Sequence, residues 1–266
     1  MATRRAPSPR SVRWFLGRMY LEPATEVTAK KWPRAARQIM AFSTGERIVH
    51  WVHTIAFLVL LATGMVLVVP PLAPYAIGEA GMLTRLIHRM GAVLFALVPF
   101  LYVLLDPEGV GLTIRDIFSW SRRDIGWARA AVAYYFFGRE EAMPPQHRFN
   151  TGQKLFYCLV VLSIPLFGVT GLAMWFGKGR LPATVLQACV ILHDWTTIAV
   201  TALFLVHFVL SVVHPLMKGA INGMLSGWVP EEYIRSHHAR WYEEIVEKGQ
   251  EAEPPAETLP ADQGTS

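Results

Sequence analysis

Histidines within apolar segments are the residues of this chain most able to carry chemistry. His193 and His207 lie fourteen residues apart in the run VILHDWTTIAVTALFLVHFVL. On an α-helix this spacing separates them by about 21 Å along the axis and leaves them about 40° from the same face. Because an unpartnered imidazole is costly in an apolar segment, the two levels indicate two separate sites.

Three further histidines lie in other apolar runs at matching levels. His88 is near the start of the second run, and His50 and His53 are near the start of the first. Since consecutive membrane helices alternate in direction, His88 comes to the level of His193. His207 comes to the level of His50 or His53, between which the spacing does not choose.

Two imidazoles on facing helices at each level suit the axial positions of two haems. The iron would supply the partner that a buried neutral histidine needs. Zinc and di-iron sites gather their ligands at one level, often with carboxylates, and Asp194 is the only carboxylate inside the four runs. The alternatives are histidines that only hydrogen-bond a neighbouring helix, or a proton relay, which needs more ionisable groups near mid-membrane.

Cysteine and glycine patterns add to this interpretation. The chain has no CxxC and no CxxCH motif, which argues against zinc, iron–sulfur ligation and covalently attached haem. Four glycines could make room for a porphyrin or serve ordinary helix packing: Gly64, Gly91, Gly168 and Gly171.

The elements that position these histidines are predicted to be four membrane-spanning helices. Only 17% of the 266 residues are charged and 53% are hydrophobic, which is typical of an integral membrane protein. Four runs are long enough to cross a bilayer as helices, and they are too long and too apolar for barrel strands. They comprise residues 48–69, 83–105, 155–176 and 185–213. The predicted fold class is therefore all-α, an integral membrane four-helix bundle.

Lysine and arginine are concentrated on one side of the predicted bundle. Residues 1–47 hold ten, residues 106–154 hold seven and the segment from residue 214 holds four, whereas the loop 70–82 holds none. The positive-inside rule then places both termini in the cytoplasm. We divide the chain into a basic N-terminal extension (1–47), a transmembrane domain (48–213) and a cytoplasmic tail (214–266). The end of the tail is predicted to be disordered.

The loop between the second and third runs mixes arginine with tryptophan, phenylalanine and tyrosine in TIRDIFSWSRRDIGWARAAVAYYFFG. This composition predicts an amphipathic helix at the membrane interface. Binding of nucleic acid is disfavoured, because the aromatic and charged residues adjoin membrane spans.

Several motifs resemble the cytochrome b (gamma) subunit of respiratory formate dehydrogenases, from about residue 47 to residue 247. The helix motifs are ERIVHWVH, TRLIHRMGAVLF and LHDWTTIAVTALFLVH, which recur in related di-haem cytochromes b of hydrogenases and thiosulfate or polysulfide reductases. The segments FNTGQKLFY and HHARWY are more typical of the formate dehydrogenase type. The chain departs from the pattern in its longer basic N-terminus, its longer middle loop and Asp194, where a small residue is expected.

The resemblance implies two haem b groups and a quinone. It implies that His88 and His193 hold the outer haem and that His50, rather than His53, holds the inner haem with His207. It also implies a menaquinone or ubiquinone pocket beside the inner haem, formed by Asn150, Gly152 and Gln153. From the residues alone, Asn150 and Gln153 have a second role open to them as a helix N-cap and its partner.

The resemblance further implies the activity and location of the chain. It would anchor a formate dehydrogenase complex in the bacterial inner membrane. It would take electrons from an iron–sulfur (beta) subunit, supplied by a molybdopterin (alpha) subunit, and pass them to quinone. The alternatives are a cytochrome subunit of a membrane-bound hydrogenase or of a thiosulfate or polysulfide reductase, and a haem-free anchor or transporter.

Overall fold

The computed structural model describes residues 37–137, 139, 143–214 and 217–247. Most of the predicted N-terminal extension and the predicted disordered end of the tail lie outside these residues. Nine α-helices and two short strands are found in the described part of the chain. They are β1 (Gln38–Met40), α1 (Thr44–Val68), α2 (Gly78–Leu105), α3 (Pro107–Phe118), α4 (Arg122–Phe137), α5 (Thr151–Phe176), α6 (Ala183–Phe208), α7 (Lys218–Ser226), β2 (Trp228–Pro230), α8 (Glu231–His237) and α9 (Ala239–Glu247).

Four of these helices are long and apolar enough to cross a membrane, which confirms the predicted helical membrane bundle. They are α1, α2, α5 and a fourth span in which α6 continues through a π-helical segment to Val213. Three of them begin about four or five residues before the predicted runs, and two of these, α1 and α5, do so because a capping residue starts the helix. Ser43 and Glu46 form a capping box at α1, and Asn150 and Gln153 form one at α5.

The four spans form two helical hairpins, α1 with α2 and α5 with α6. A small apolar cluster joins the hairpins at mid-height, with Ala56, Phe57, Phe95 and Val200 buried in it. Most other large apolar side chains of the spans are exposed on the outer surface of the bundle. An outward-facing apolar surface and a small interior are what a bilayer environment requires.

The middle loop forms two helices rather than the single amphipathic helix that we predicted. The chain breaks between α3 and α4 at Ser119–Ser121, where the Asp124 carboxylate accepts hydrogen bonds from the backbone N–H and the hydroxyl of Ser121. This is a side-chain cap, which serine and aspartate favour over continued helix. The location of α3 and α4 at a membrane interface stays a prediction.

A two-stranded antiparallel sheet, with strands of three residues each, is an unpredicted addition to the helical fold. It pairs β1 with β2, so that Ile39 lies opposite Val229. Together with α4 and α7 to α9 it encloses a second core at one end of the bundle, which we call the cap. The buried residues of the cap core are Ile39, Ala41, Tyr134, Met217, Val229, Tyr233, Ile234 and Ile245.

Candidate functional site

His88 and His193 face each other at the end of the bundle opposite the cap. His88 lies on α2 and His193 on α6, and their ring centroids are 6.4 Å apart. The structure therefore brings together the two histidines that the spacing paired at this level. We refer to them as the His88/His193 pair.

A threonine of the neighbouring helix holds the ring of His88. The Thr63 hydroxyl of α1 is 2.9 Å from His88 Nδ1 and 2.7 Å from the carbonyl oxygen of Val59. A carbonyl oxygen only accepts, so the single hydroxyl proton must go to it. The threonine oxygen then accepts from Nδ1–H of His88, which leaves the lone pair of the ring on Nε2.

The second hairpin repeats this arrangement at His193. The Thr170 hydroxyl of α5 is 2.9 Å from His193 Nδ1 and 2.7 Å from the carbonyl oxygen of Leu166. The same reasoning places the proton of His193 on Nδ1. Both rings of the pair are thereby fixed in the tautomer whose Nε2 can bind a metal.

His50 and His207 face each other at the cap end, with ring centroids 6.5 Å apart. We refer to them as the His50/His207 pair. The ring of His53 lies instead against Phe95, with centroids 4.2 Å apart. The structure thus brings His50 to His207, a choice that helix spacing had left open.

Hydrogen bonding at the His50/His207 pair is sparse. Nδ1 of His207 is 3.5 Å from the Ser211 hydroxyl, at the outer limit of a hydrogen bond. Nδ1 of His50 is buried and has no hydrogen-bond partner among the described residues. The Phe156 ring stacks on His207, with centroids 5.0 Å apart.

Glycines adjoin the His88/His193 pair on both hairpins. A Cβ at Gly64 would lie 3.6 Å from the His88 ring, and one at Gly171 would lie 3.8 Å from the His193 ring. A Cβ at Gly168 would meet open space, whereas Gly91 packs against Leu60. Three of the four glycines thus border a histidine or open space, and Gly91 serves helix packing.

A cavity of about 690 Å³ extends from the His50/His207 pair into the cap. Its lining is mostly apolar, and this volume is typical of a pocket for a small organic molecule. Both ligand candidates of the pair line it, and so does His53. Its polar lining residues include Glu46, Tyr102, Arg148, Gln153 and His238.

The three residues expected to bind quinone have different positions. Gln153 lines the cavity, and its side-chain oxygen accepts from the backbone N–H of Asn150. The Asn150 side chain accepts from the backbone N–H of Gln153, so the capping role is present in the structure. A Cβ at Gly152 would come within 2.8 Å of the Trp127 ring, so Gly152 allows α4 to pack closely on α5.

A buried ion pair fixes the start of α5 against α4. The Lys154 ammonium lies 3.0 Å from the Asp124 carboxylate and also donates to the Ser119 carbonyl at 2.8 Å. Burial alone would raise the pKa of the Asp124 carboxyl. Hydrogen bonds from Lys154 and Thr151 outweigh burial and hold that pKa below its usual value.

His238 joins the cap to the segment that leads into α5. Its Nδ1–H donates to the carbonyl of His147 at 2.7 Å, and its ring is buried and borders the cavity. Burial lowers the pKa of His238 to about 4, so the ring is neutral near neutral pH. His147 in turn donates to Glu244 of α9 at 2.9 Å.

Comparison with known families decides what this arrangement belongs to. Residues 41–227, which hold both histidine pairs, match the prokaryotic cytochrome b561 family. The chain belongs to that family. Membership of a cytochrome b family implies that the chain binds haem b.

Relatives within this cytochrome family confirm the resemblance that the motifs indicated. The chain is 28% identical to the formate dehydrogenase cytochrome b556 subunit of Haemophilus influenzae, over 80% of this chain and 87% of that protein. It is 25% identical to a cytochrome b556 subunit of Escherichia coli K12 formate dehydrogenase, over 78% and 93% of the two chains. It is 27% identical to the subunit of the nitrate-inducible enzyme of that strain, over 75% and 88%.

Two polar features of this cytochrome b561-type chain were missed by the sequence reasoning. One is the pair of threonines that hold His88 and His193. The other is a buried network at the cavity, in which Arg148 pairs with Glu46 at 2.6 Å and Tyr102 donates to Glu46 at 3.2 Å. The Thr-Gly dipeptides at 63–64 and 170–171 could have indicated the first, whereas the second depends on contacts between residues far apart in sequence.

Proposed function

We propose that this chain is the di-haem membrane subunit of a formate dehydrogenase complex and passes electrons to quinone. The observation that carries the proposal is the presence of two facing histidine pairs at opposite ends of one bundle. The similarity to cytochrome subunits of formate dehydrogenases supports formate as the electron source. His88 and His193 would hold the outer haem, and His50 and His207 would hold the inner haem.

The spacing of each pair fits a shared haem iron. Two metal–nitrogen bonds of about 2 Å each, with each ring centroid about 1 Å beyond its nitrogen, require centroids about 6 Å apart. The observed distances are 6.4 Å and 6.5 Å. At the His88/His193 pair, the threonines also leave Nε2 as the free ligand atom. When bound, the haems would supply one-electron redox chemistry, while the protein orients the ligands and excludes water.

His50 and His207 both line the cavity, so an inner haem would occupy part of it, and the part that extends into the cap supports a quinone site. A quinone is a flat, largely apolar molecule with two carbonyl acceptors, and this cavity is apolar with a few polar groups. The capping box uses the side-chain oxygen of Gln153, so its amide nitrogen remains as a candidate donor to a quinone carbonyl.

The order of the sites gives a direction to the proposed reaction. Electrons from an iron–sulfur subunit, supplied by a molybdopterin subunit that oxidises formate, would enter at the His88/His193 end. Two electrons and two protons would convert one quinone to quinol at the cap end. With both termini in the cytoplasm of a bacterial cell, proton uptake would take place on the inner side of the inner membrane.

The decisive experiment is a redox-titrated absorption spectrum of the purified complex, with the copurifying subunits identified. We expect two haem b per chain, a molybdopterin subunit and an iron–sulfur subunit, and reduction of both haems by formate. Absence of a reduced-minus-oxidised haem band would eliminate the cytochrome function. Haems that formate does not reduce, but that hydrogen reduces or that thiosulfate or polysulfide oxidises, would replace formate dehydrogenase by one of the alternative complexes.

A further inference from the structure

Thr63 and Thr170 occupy equivalent places in the two hairpins. Each lies near the end of the first helix of its hairpin and contacts a histidine near the start of the second helix. Each is followed directly by a glycine that borders the same histidine ring. The two contacts therefore form a matched set around the His88/His193 pair.

Each threonine transmits negative charge density to its histidine. The hydroxyl of Thr63 donates to a backbone carbonyl and accepts from Nδ1–H of His88. A hydroxyl that donates one hydrogen bond becomes a better acceptor for another, so the two bonds reinforce each other. An imidazole whose Nδ1–H is held by an acceptor is a more basic ligand through Nε2.

The His50/His207 pair has no equivalent in the described chain. The Ser211 hydroxyl lies 3.5 Å from Nδ1 of His207, at the limit of a hydrogen bond, and Nδ1 of His50 has no partner among the described residues. Thr54 of α1, four residues after His50, donates to the backbone carbonyl of His50 instead. The two pairs therefore differ in ligand basicity although their ring spacings are alike.

We propose that Thr63 and Thr170 are positioning residues that lower the reduction potential of the haem held by His88 and His193. A more basic ligand stabilises the ferric state, so this haem releases its electron more readily than the haem held by His50 and His207. With a haem bound at each pair, transfer of one electron from the first pair to the second would be downhill. This inference rests on the proposed function, because it requires a haem at each pair.

The test is a redox titration of the purified complex carrying Thr63→Val or Thr170→Val. Valine keeps the branched shape and removes the acceptor. We expect each variant to shift the oxidised-to-reduced ratio of one haem about three- to tenfold, which corresponds to a potential about 30 to 60 mV higher. The spectral component that His193→Ala removes identifies that haem, and the other haem keeps its potential.

Two control variants separate this role from packing. Thr197→Val removes a hydroxyl that bonds only the carbonyl of His193, at 2.9 Å, and is expected to leave both potentials unchanged. Thr63→Ser keeps the hydroxyl and is expected to stay at the parental potential. If Thr63→Val fails to retain haem, Thr63→Cys, a weaker acceptor, takes its place beside serine.

The outcomes distinguish the inference from the function beneath it. Two haems with unchanged potentials in Thr63→Val and Thr170→Val, or a serine variant shifted as far as the valine variant, would overturn the inference alone. A parental complex with fewer than two haems would overturn the proposed function, whatever the threonine variants show.

Discussion

The two histidine pairs differ in their surroundings far more than in their own geometry. Ring centroids are 6.4 Å apart in one and 6.5 Å apart in the other. The His88/His193 pair lies between the two hairpins, with a threonine on each ring. The His50/His207 pair opens into a cavity of about 690 Å³ and has sparse hydrogen bonds. A pair that only relays electrons benefits from fixed ligands, whereas a pair that serves a substrate must leave space beside it.

Removing a single ligand tests the comparison most severely. His193→Ala is expected to lose the haem at the His88/His193 pair and keep the other, so that the haem-to-protein ratio falls by half. His50→Ala is expected to lose the haem at the His50/His207 pair, and the haem-to-protein ratio again falls by half. Pyridine haemochrome assays against protein concentration measure both ratios.

The matched control for His50→Ala is His53→Phe. The His53 ring packs on Phe95, so a phenylalanine should fill its place and both haems should remain. If His53→Phe loses a haem while His50→Ala retains both, the assignment of His50 as ligand is wrong. An unchanged haem-to-protein ratio in His193→Ala would likewise show that the His88/His193 pair does not hold a haem.

A substitution of Gln153 tests the proposed quinone site without altering a haem ligand. Gln153→Glu keeps an oxygen that can accept from the Asn150 N–H, and removes the amide donor that faces the proposed quinone role. We expect quinone reduction to slow about tenfold, the effect of one lost hydrogen bond, while both haems stay. Stopped-flow oxidation of the reduced haems by a quinone analogue measures this rate.

Asn150→Ser provides the control for the Gln153 variant. Serine is also a good N-cap, so α5 should retain its start and quinone reduction should retain its rate. If Gln153→Glu reduces quinone at the parental rate, Gln153 is a capping residue only and the donor must be sought elsewhere on the cavity wall.

Acidification should destabilise the cap, because the neutral His238 ring is buried there. His238 has a pKa of about 4 in the folded cap and about 6.5 in an unfolded chain. The unfolded state therefore binds more protons between these values, so the stability of the cap is complete above about pH 6.5 and falls with decreasing pH. The expected loss is about 1 kcal/mol per pH unit.

The protection of the α8 and α9 amides from hydrogen exchange, relative to unprotected amides at the same pH, measures this effect. The His238→Gln variant cannot titrate, so its cap should lose this part of the pH dependence between pH 6.5 and 4. Protection factors in α8 and α9 that fall equally with decreasing pH in both proteins would show that another group controls the cap.

The smallest expected effect concerns the packing of α4 on the start of α5, where Gly152 meets Trp127. Gly152→Ala would place a Cβ 2.8 Å from the Trp127 ring, so the ring must shift. Overpacking of this kind costs about 1 to 3 kcal/mol, measurable as a lower midpoint of thermal unfolding. Gly111→Ala, where a Cβ meets nothing within 4 Å, is the control and should not lower the midpoint. Equal midpoints for the two variants would contradict this packing role for Gly152.

The sequence was most informative where one helix determines the outcome. The apolar runs predicted the four spans, and the fourteen-residue step from His193 to His207 predicted two levels of sites. The S-x-x-E and N-x-x-Q patterns before α1 and α5 are capping signals, but the apolar runs alone set the predicted starts of these helices too late.

Sequence reasoning failed where two distant segments meet. The choice between His50 and His53 depends on the rotation of α1 against α6, which spacing does not define. The contact of Arg148 with Glu46 joins residues 102 positions apart. The sheet went unpredicted because strands of three residues are too short to show alternation, and because their pairing forms only when the chain closes on itself.

The strand pairing between β1 and β2 has a consequence for the order of assembly. β1 precedes the first span, and β2 follows the fourth, so a ribosome makes the two halves of this sheet almost 200 residues apart. Val229, Tyr233 and Trp241, which wall the cavity, are among the last described residues to be translated. The nascent chain can insert all four spans, with their histidines, before these lining residues are synthesised. The cavity is then completed only after the membrane part is in place.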